Sequence, residues 1–166
     1  METFVVTGGG GFIGSNLVAH LVENGHEVRV IDDFSTGRRE NLDGLEDDIT
    51  LHEGSITDEN LLQRVLDGAN YVLHQAAIPS VQRSVEEPVK ANEVNVGGTL
   101  KVLEAARHSS VRRVVYASSS SIYGDQPTLP KTEGMRPDPR SPYAANKLAG
   151  EYYAGLYYDL FDLETV

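Results

Sequence analysis

The sequence predicts an α/β protein in which helices flank a doubly wound parallel sheet. Short apolar runs typical of buried strands alternate with segments whose apolar residues recur at helical spacing, and this alternation favours parallel pairing through right-handed crossovers. The early runs are apolar on both faces, as expected for a sheet that helices cover on each side. With 166 residues, the chain has the length of one domain. We therefore expect one domain over residues 1–166, with its ligand site at the carboxyl ends of the strands.

Strands and helices are predicted in alternation along the chain. Apolar runs predict five strands, at residues 4–6, 27–31, 49–52, 71–74 and 113–117. Apolar residues at helical spacing predict three helices, at residues 14–23, 58–66 and 89–107. These elements supply the βαβ units that a doubly wound sheet requires.

The last third of the chain departs from this regular alternation. A loop rich in proline and charge spans residues 125–140. Ser141 followed by Pro142 is typical of a helix start, and this helix is expected to run to about Phe161. The final residues, 163–166, have the pattern of another strand, so we expect this chain to be part of a longer protein.

A glycine-rich segment, residues 7–14 (TGGGGFIG), lies between the first strand and the first helix. A diphosphate needs backbone N–H groups with no side chain in the way, at a helix N-terminus whose dipole favours negative charge. Gly8 and Gly11 would let the chain turn and approach the phosphates, and Gly14 would let the helix pack closely on the strand. A glycine pattern alone is weak evidence, but the flanking strand and helix are the context that a dinucleotide-binding loop requires.

An acidic residue ends the second strand. Asp32 lies 18 residues beyond Gly14, close to the spacing of about 20 residues expected for a carboxylate that accepts hydrogen bonds from an adenosine ribose. Taken alone, Asp32 and Asp33 could equally form a solvated turn. Because a carboxylate repels a 2′-phosphate, Asp32 favours NAD over NADP, whereas Arg38 and Arg39 leave NADP open.

Tyr143 and Lys147 are four residues apart on the last predicted helix, so their side chains share one face. An ammonium group stabilises a neighbouring phenolate, which makes the pair a candidate proton acceptor and donor for an alcohol. The same spacing is common on surface helices and gains meaning from the glycine loop and the serine run 118–121. Hydroxyl groups at that strand end could hold the oxygen of a reacting carbinol, and a serine-rich turn is the alternative.

Other polar and aromatic residues are interpreted as structural. Asn95 lies inside an apolar helical stretch and is expected to hydrogen-bond the backbone, and His74 is expected to be an interior histidine with satisfied nitrogens. The five histidines show no ligand spacing, so no metal site is predicted. Core packing and a helix-to-helix dimer interface are both open for the aromatic residues of the last helix, which are Tyr152, Tyr153, Tyr157, Tyr158 and Phe161.

Composition narrows the possible partners. The net charge of −11 argues against nucleic acid, because no basic stripe is present to neutralise phosphates. Cysteine is absent, which excludes disulfides and thiolate metal sites and fits a reducing compartment. No apolar run approaches a membrane span, and the chain does not open on the basic-then-apolar pattern of a signal peptide. We therefore predict a cytoplasmic protein with neither a membrane nor a nucleic-acid partner.

Taken together, the motifs resemble the extended short-chain dehydrogenase/reductase family, and within it the nucleotide-sugar epimerases and dehydratases of the UDP-glucose 4-epimerase type. The residues that carry the resemblance are Thr7, Gly8, Gly11, Phe12, Ile13, Gly14, Asp32, Ala76, Ala77, Asn95, Ser119, Tyr143 and Lys147. The resemblance implies a Rossmann fold that binds NAD. It also implies that the C-terminal substrate domain is absent from this chain, because such proteins are considerably longer.

The resemblance assigns roles to individual positions. The residues that it implies for NAD are Gly8, Gly11, Phe12, Ile13, Asp32, Asp33, Phe34, Ser35, Gly37, Ser55, Ile56, Gln75, Ala76, Ala77, Tyr143 and Lys147. At position 55 relatives usually carry an acid, so the serine here predicts a weaker adenine contact. The residues that it implies for catalysis are Ser119, Tyr143 and Lys147, and those for the substrate are Ser80, Arg83, Ser119, Ser120 and Tyr143.

The implied reaction is the 4-epimerisation of a UDP-hexose, either UDP-glucose and UDP-galactose or a UDP-N-acetylhexosamine. Tyr143 would take the proton of the C4 hydroxyl, a transient 4-keto sugar and NADH would form, and the hydride would return to the other face. Family dehydratases carry an acid pair after the catalytic serine or threonine, where this chain has Ser120 and Ser121, so epimerisation is favoured. A decarboxylase, dehydratase or reductase of the same family, or a non-catalytic NAD-sensing protein, is the alternative. The chain alone is expected to be inactive and to form a homodimer through its final helix.

Overall fold

The computed structural model, which describes residues 1–109 and 111–166, confirms the doubly wound parallel sheet. Its strands are β1 (Thr3–Thr7), β2 (Glu27–Asp32), β3 (Ile49–Glu53), β4 (Tyr71–His74), β5 (Arg113–Tyr116) and β6 (Glu164–Thr165). They lie in the order β3-β2-β1-β4-β5-β6, and each neighbouring pair is parallel. The order reverses direction between β1 and β4, so a crevice opens at the carboxyl ends of these two strands, where open α/β sheets bind ligands.

Helices connect the strands. They are α1 (Phe12–Glu23), α2 (Glu59–Leu66), α3 (Val81–Glu86), α4 (Pro88–Asn92), α5 (Thr99–Arg107) and α6 (Pro142–Phe161). A π-helical segment, Glu93–Gly98, joins α4 to α5, and single 3₁₀ turns occupy Arg39–Leu42 and Ser120–Tyr123. The five predicted strands, the short final strand and helices α1, α2 and α6 occur close to their expected positions. Within the described ranges no helix is both long enough and apolar enough to cross a membrane.

Two helical features differ from the sequence prediction. The single helix expected over residues 89–107 consists of α4, the π-helical segment and α5, so its hydrogen-bond pattern widens over Glu93–Gly98. Helix α3 was not predicted, and its N-terminus is capped by Ser80, whose Oγ accepts a hydrogen bond from the Arg83 amide at 3.1 Å. Six residues are too few to show an apolar periodicity, which explains why this helix was missed.

Both faces of the sheet are packed, as the apolar strand pattern predicted. Val5 and Val6 are fully buried in different clusters, because successive side chains of a strand point to opposite faces. Val6 packs with side chains from α1, and Val5 packs with side chains from α2 and α5. Each fully buried aliphatic side chain contributes about 1.5–3 kcal/mol to folding, so the two layers hold the strand ends, and the site built on them, in place.

Helix α6 brings chemistry-bearing residues to the carboxyl edge of the sheet. It follows β5 and precedes the parallel strand β6, so it is a crossover helix whose first turn lies at the carboxyl ends of the strands. The predicted start is confirmed, since the Ser141 Oγ accepts a hydrogen bond from the Ala144 amide at 3.1 Å and Pro142 occupies the first turn. Tyr143 and Lys147 therefore lie at the edge where the crevice opens.

Candidate functional site

The glycine loop between β1 and α1 forms one wall of the crevice. Gly8 has a φ of +72° and donates its amide hydrogen to the Ile31 carbonyl at 2.7 Å, so the chain turns sharply as it leaves β1. A Cβ on Gly8 would lie 2.7 Å from the Ala76 nitrogen, and a Cβ on Gly14 would overlap the Gly8 carbonyl oxygen. These contacts leave bare backbone facing the crevice at the N-terminus of α1, which is the arrangement that binds a diphosphate.

Asp32 ties this loop to the end of β2. Its Oδ2 accepts a hydrogen bond from the Gly10 amide at 2.8 Å, and its Oδ1 accepts one from the Phe34 amide at 2.8 Å. Burial raises the pKa of Asp32, and the two backbone hydrogen bonds oppose that rise. A carboxylate has about four lone-pair positions, so the side chain that lines the crevice retains acceptor capacity for a ligand.

A cavity of about 350 Å³ occupies the crevice. It brings together most of the residues predicted to bind a cofactor, and these are Gly8, Gly11, Phe12, Ile13, Asp32, Asp33, Ser35, Gly37, Ser55, Ile56, Gln75, Ala76 and Ala77. The predicted substrate residue Arg83 also lines it. Further lining residues were not predicted to contact cofactor or substrate, namely Gly14, Ile31, Thr36, Gly54, Ile78, Pro79, Lys90 and Val94.

Phe34 lies behind the loop, outside the cavity lining. Its backbone has a positive φ of 53°, and its side chain packs against the cluster that contains Val6. The Arg39 guanidinium lies over its ring, 4.4 Å from the centroid, and Arg39 also pairs with Glu53. A Cβ on Gly10 would lie 2.7 Å from the ring, so Phe34 packs closely against the glycine loop.

Ser55 and Ile56 line the cavity at the end of β3. The Ser55 Oγ lies 2.9 Å from the Thr57 Oγ1 and accepts a hydrogen bond from the Thr57 amide at 3.2 Å. Ile56 is buried, and a Cβ on Gly98 would lie 2.6 Å from its Cδ1. Ile56 thus packs on the end of the π-helical segment and couples this wall of the cavity to α5.

The segment after β4 is held by two residues that were interpreted as structural. The Asn95 side chain accepts a hydrogen bond from the Ile78 amide at 2.7 Å and donates one to the Ile78 carbonyl at 3.2 Å, which confirms its structural interpretation. His74 is confirmed as an interior histidine, with Nδ1 2.7 Å from the Thr7 Oγ1 and Nε2 2.9 Å from the Thr99 Oγ1. Among the described residues, no group of three or more His, Cys, Asp or Glu side chains could hold a metal ion.

Lys147 is a buried cation on α6, and it is only 3% exposed. Its Nζ donates to the Ala117 carbonyl at 2.8 Å and lies 6.0 Å from the centroid of the Tyr143 ring. The Nζ is also 4.9 Å from the Tyr116 ring centroid, which adds a cation–π contact. Burial lowers the pKa of Lys147 to about 8, so its ammonium remains mostly charged at neutral pH.

Tyr143 is fixed through its backbone. Its amide donates to the Oγ of the fully buried Ser84 at 3.0 Å, and this Oγ donates to the Val81 carbonyl at 2.6 Å. Helix α3 therefore holds the first turn of α6. The predicted pair of Tyr143 and Lys147 is brought together on one face of α6, although neither residue lines the cavity.

The serine run forms the turn after β5. The Ser119 Oγ accepts hydrogen bonds from the Ser121 amide at 3.2 Å and from the Ser121 Oγ at 2.9 Å, so its own proton is available for a third partner. The Ser118 Oγ is buried without a hydrogen-bond partner, and Ser120 is exposed. The carbonyl that Lys147 contacts precedes Ser119 by two residues, which places the ammonium beside this run.

Comparison with known proteins decides the family. Residues 4–166 match the model of the NAD dependent epimerase/dehydratase family. The chain belongs to this family. It is 44% identical over 164 residues to a UDP-glucose 4-epimerase of Mycolicibacterium smegmatis, a match that covers 96% of this chain and 52% of that protein.

Solved structures of the family share the fold. A UDP-N-acetylglucosamine 4-epimerase from Methanobrevibacter ruminantium M1, in complex with UDP-N-acetylmuramic acid, is 36% identical with a TM-score of 0.94, covering 99% of this chain and 53% of that one. A UDP-glucose 4-epimerase of Thermus thermophilus in complex with NAD is 39% identical with a TM-score of 0.89, covering 98% and 53%. The chain thus spans about half the length of these members of the NAD dependent epimerase/dehydratase family.

Proposed function

We propose that this chain is the NAD-binding part of a nucleotide-sugar 4-epimerase that acts on a UDP-hexose, either UDP-glucose and UDP-galactose or a UDP-N-acetylhexosamine. The observation that carries the proposal is the hydrogen bond from the Lys147 Nζ to the Ala117 carbonyl, at 2.8 Å. This contact joins the helix face that bears Tyr143 to the strand end that bears Ser119. Relatives named as 4-epimerases of UDP-glucose and of UDP-N-acetylglucosamine support this activity.

The residues around the cavity fit NAD. The contacts at Gly8 and Gly14 leave no room for a Cβ, so the wall that would hold a diphosphate is backbone. Asp32 keeps acceptor capacity toward the cavity and would hold the adenosine ribose. Bound NAD would supply a reversible hydride acceptor. The complex of the Thermus thermophilus relative with NAD supports this choice of cofactor.

We propose NAD rather than NADP because the charges near Asp32 oppose a 2′-phosphate. Arg39, one of the two arginines that left NADP open, already pairs with Glu53 and lies over the Phe34 ring. Arg38 is exposed and donates its backbone amide to the Gly10 carbonyl at 2.9 Å. The carboxylate at the end of β2 is therefore the charge that selects between the two cofactors.

The proposed chemistry uses three side chains that lie outside the cavity lining, on α6 and in the turn after β5. Tyr143 exchanges a proton with the C4 hydroxyl of the sugar, and Ser119 donates its remaining proton in a hydrogen bond to the same oxygen. Lys147 stabilises the phenolate by its charge, because a buried ammonium is screened little by water. Its contact with the Ala117 carbonyl keeps the charge in place through the proton transfer.

Three further side chains are proposed to contact the substrate. Arg83 lines the cavity and would meet an anionic group of the substrate. The Ser80 Oγ accepts a hydrogen bond from the Arg83 amide at 3.1 Å, so its hydroxyl keeps one donor hydrogen and one lone pair for the substrate. Ser120 is exposed at the start of the 3₁₀ turn, and we propose that it contacts the substrate through this open side.

The serine run favours epimerisation over dehydration. Elimination of water from the sugar needs an acid and a base of its own, and no carboxylate follows Ser119 in the turn Ser120–Tyr123. The fold does not separate the two reactions, since a dTDP-glucose 4,6-dehydratase of Streptomyces venezuelae is 34% identical with a TM-score of 0.92. We therefore propose epimerisation on the chemistry of this turn.

A fusion protein would test the activity. We propose joining this chain to the C-terminal half of the Mycolicibacterium smegmatis relative, which is 44% identical to it over the shared part. The fusion should interconvert UDP-glucose and UDP-galactose, followed by NMR of the anomeric protons, whereas this chain alone should not. The same fusion with Tyr143→Phe is the matched control and should lose turnover. A folded, NAD-binding fusion that releases carbon dioxide from UDP-glucuronate, or that turns over no nucleotide sugar, would contradict the proposal.

A homodimer through α6 is proposed from the exposed apolar side chains of that helix. Tyr152, Leu156 and Leu160 are 65%, 47% and 67% exposed and repeat every four residues, so they form one stripe. Tyr157, in contrast, is buried in the core. Sedimentation velocity should show a dimer that Tyr152→Glu dissociates, and a monomer at all concentrations would contradict it. A cytoplasmic location stays a prediction from composition.

A further inference from the structure

A chain of buried hydrogen bonds passes beneath the cavity through His74. The Ala76 amide donates to the Thr7 Oγ1 at 3.2 Å, and this oxygen lies 2.7 Å from the His74 Nδ1. On the other side of the ring, Nε2 lies 2.9 Å from the Thr99 Oγ1, which donates to the Asn95 carbonyl at 2.7 Å. His74, Thr7 and Thr99 are each at most 2% exposed, so water does not replace any of these partners.

The hydrogen-bond partners determine the protonation of the ring. The Thr99 hydroxyl gives its proton to the Asn95 carbonyl and must therefore accept from His74, which places a hydrogen on Nε2. The Thr7 oxygen accepts from the Ala76 amide, and a bare Nδ1 at 2.7 Å gives the Thr7 proton an acceptor, so Nδ1 must be the bare nitrogen. In the opposite tautomer the Thr7 proton would have no acceptor, and a buried donor without a partner is costly.

The two ends of this chain of hydrogen bonds meet on one loop. At one end, the Thr7 hydroxyl accepts a hydrogen bond from the Ala76 amide. At the other end lies Asn95, whose side chain forms hydrogen bonds with both the amide and the carbonyl of Ile78. Ala76 and Ile78 line the cavity. The Ala76 nitrogen is also the atom that a Cβ on Gly8 would meet at 2.7 Å, so this loop and the glycine loop face each other across a fixed distance.

We propose that His74 is a positioning residue, held as its neutral Nε2–H tautomer, that sets the distance between the glycine loop and the Ala76–Ile78 loop and so pre-forms the dinucleotide cavity. The identity of the ligand as NAD in this inference rests on the proposed function. An imidazolium would carry hydrogens on both nitrogens, so the Thr7 hydroxyl could no longer donate to Nδ1 and the series of hydrogen bonds would be interrupted there. Burial and the nearby charge of Lys147 keep the ring neutral by lowering the pKa of His74 to about 3.

The test uses Thr99→Val, which removes one hydroxyl group from the series of hydrogen bonds at a residue that does not line the cavity. Thr165→Val is the matched control, because its Oγ1 also donates to a helix carbonyl, that of Ala154, at 2.8 Å. Imidazole nitrogen spectra of the wild-type chain should show His74 protonated only at Nε2 at neutral pH. Thr99→Val should change that pattern and accelerate hydrogen exchange at the Ala76 and Ile78 amides, and Thr165→Val should do neither.

Titration calorimetry gives the functional measurement. Loss of one buried hydrogen bond corresponds to about a tenfold change in an equilibrium constant, so Thr99→Val should weaken NAD binding by about tenfold and Thr165→Val should leave it unchanged. Thr99→Ser keeps the hydroxyl and should restore the wild-type spectrum, exchange and affinity, which also guards against a valine variant that fails to fold.

The outcomes separate this inference from the proposed function. A wild-type His74 protonated at Nδ1 or at both nitrogens would overturn the inference, whatever the chain binds. Unchanged exchange and affinity in a folded Thr99→Val chain would overturn it as well. A wild-type chain with the expected tautomer and exchange pattern that binds no NAD would contradict the proposed cofactor and leave the positioning role of His74 supported.

Discussion

The Lys147 ammonium and the Ala117 carbonyl are joined by a 2.8 Å hydrogen bond across the gap between α6 and β5. Lys147 is 3% exposed, so its charge is more deeply buried than that of Asp32, which is 8% exposed. One hydrogen bond and one aromatic face at 4.9 Å compensate only part of the lost hydration. A buried, incompletely compensated ammonium is typical of a group kept for chemistry rather than for stability.

The stability contributed at Lys147 should depend on pH in a defined direction. Burial lowers its pKa from 10.5 to about 8, so between these values the unfolded chain binds more protons and stability rises with pH. In urea unfolding, the free energy of unfolding of the wild type minus that of Lys147→Met should increase by up to about 3 kcal/mol from pH 8 to pH 10.5. Lys90→Met, at an exposed lysine, is the control. A difference that stays flat across this window would show that the lysine is not buried as described.

Removal of the Tyr143 hydroxyl should abolish turnover and leave cofactor binding intact. General acid–base groups contribute about 10²–10⁴ to rate, so Tyr143→Phe in the fusion protein should lower kcat by that factor. Tyr143 does not line the cavity, so NAD affinity should change less than twofold. Tyr152→Phe, on the exposed side of the same helix, should leave both values unchanged. Equal losses from the two phenylalanine variants would contradict the role of Tyr143.

Gly14 should tolerate no side chain. A Cβ there would overlap the Gly8 carbonyl oxygen, and overpacking of this kind costs about 1–3 kcal/mol, so Gly14→Ala should lower the free energy of unfolding and weaken NAD binding. Gly155→Ala is the matched helical control, because nothing lies within 4 Å of its Cβ position. The control should gain about 0.5–1 kcal/mol from helix propensity. If both variants were stabilised to the same extent, the close contact of α1 with the loop would be wrong.

The sequence was sufficient to place candidate site residues whose motifs depend on local spacing. The glycine loop, Asp32 and the pair Tyr143 and Lys147 are each defined by neighbours in the chain, and the structure brings them to one edge of the sheet. The contacts that hold these residues in position join segments distant in sequence, so they could not be predicted. Phe34 packs against the glycine loop with a backbone φ of 53°, and no spacing rule predicts that contact.

The π-helical segment and the hydrogen bonds of His74 illustrate the same limit. Over Glu93–Gly98 the helical hydrogen-bond pattern widens, and here Asn95 binds Ile78 and Gly98 packs against Ile56. Both contacts join segments that are distant in sequence and become neighbours only through the order of the strands in the sheet. The ring nitrogens of His74 were expected to have hydrogen-bond partners. The identity of these partners, Thr7 and Thr99, became clear only from the folded structure, in which β1 pairs with β4. Sequence spacing thus predicted which residues carry chemistry and left open which contacts hold them.

The most direct test of the central claim is calorimetric titration of this chain with NAD and, in parallel, with NADP. We expect saturable NAD binding and NADP binding weaker by at least about tenfold, because Asp32 lies in the cavity and opposes a 2′-phosphate. Asp32→Ala should remove the preference, whereas Asp47→Ala, at an exposed acid outside the cavity lining, should preserve it. A folded chain that binds neither dinucleotide, or that binds both equally, would contradict the account.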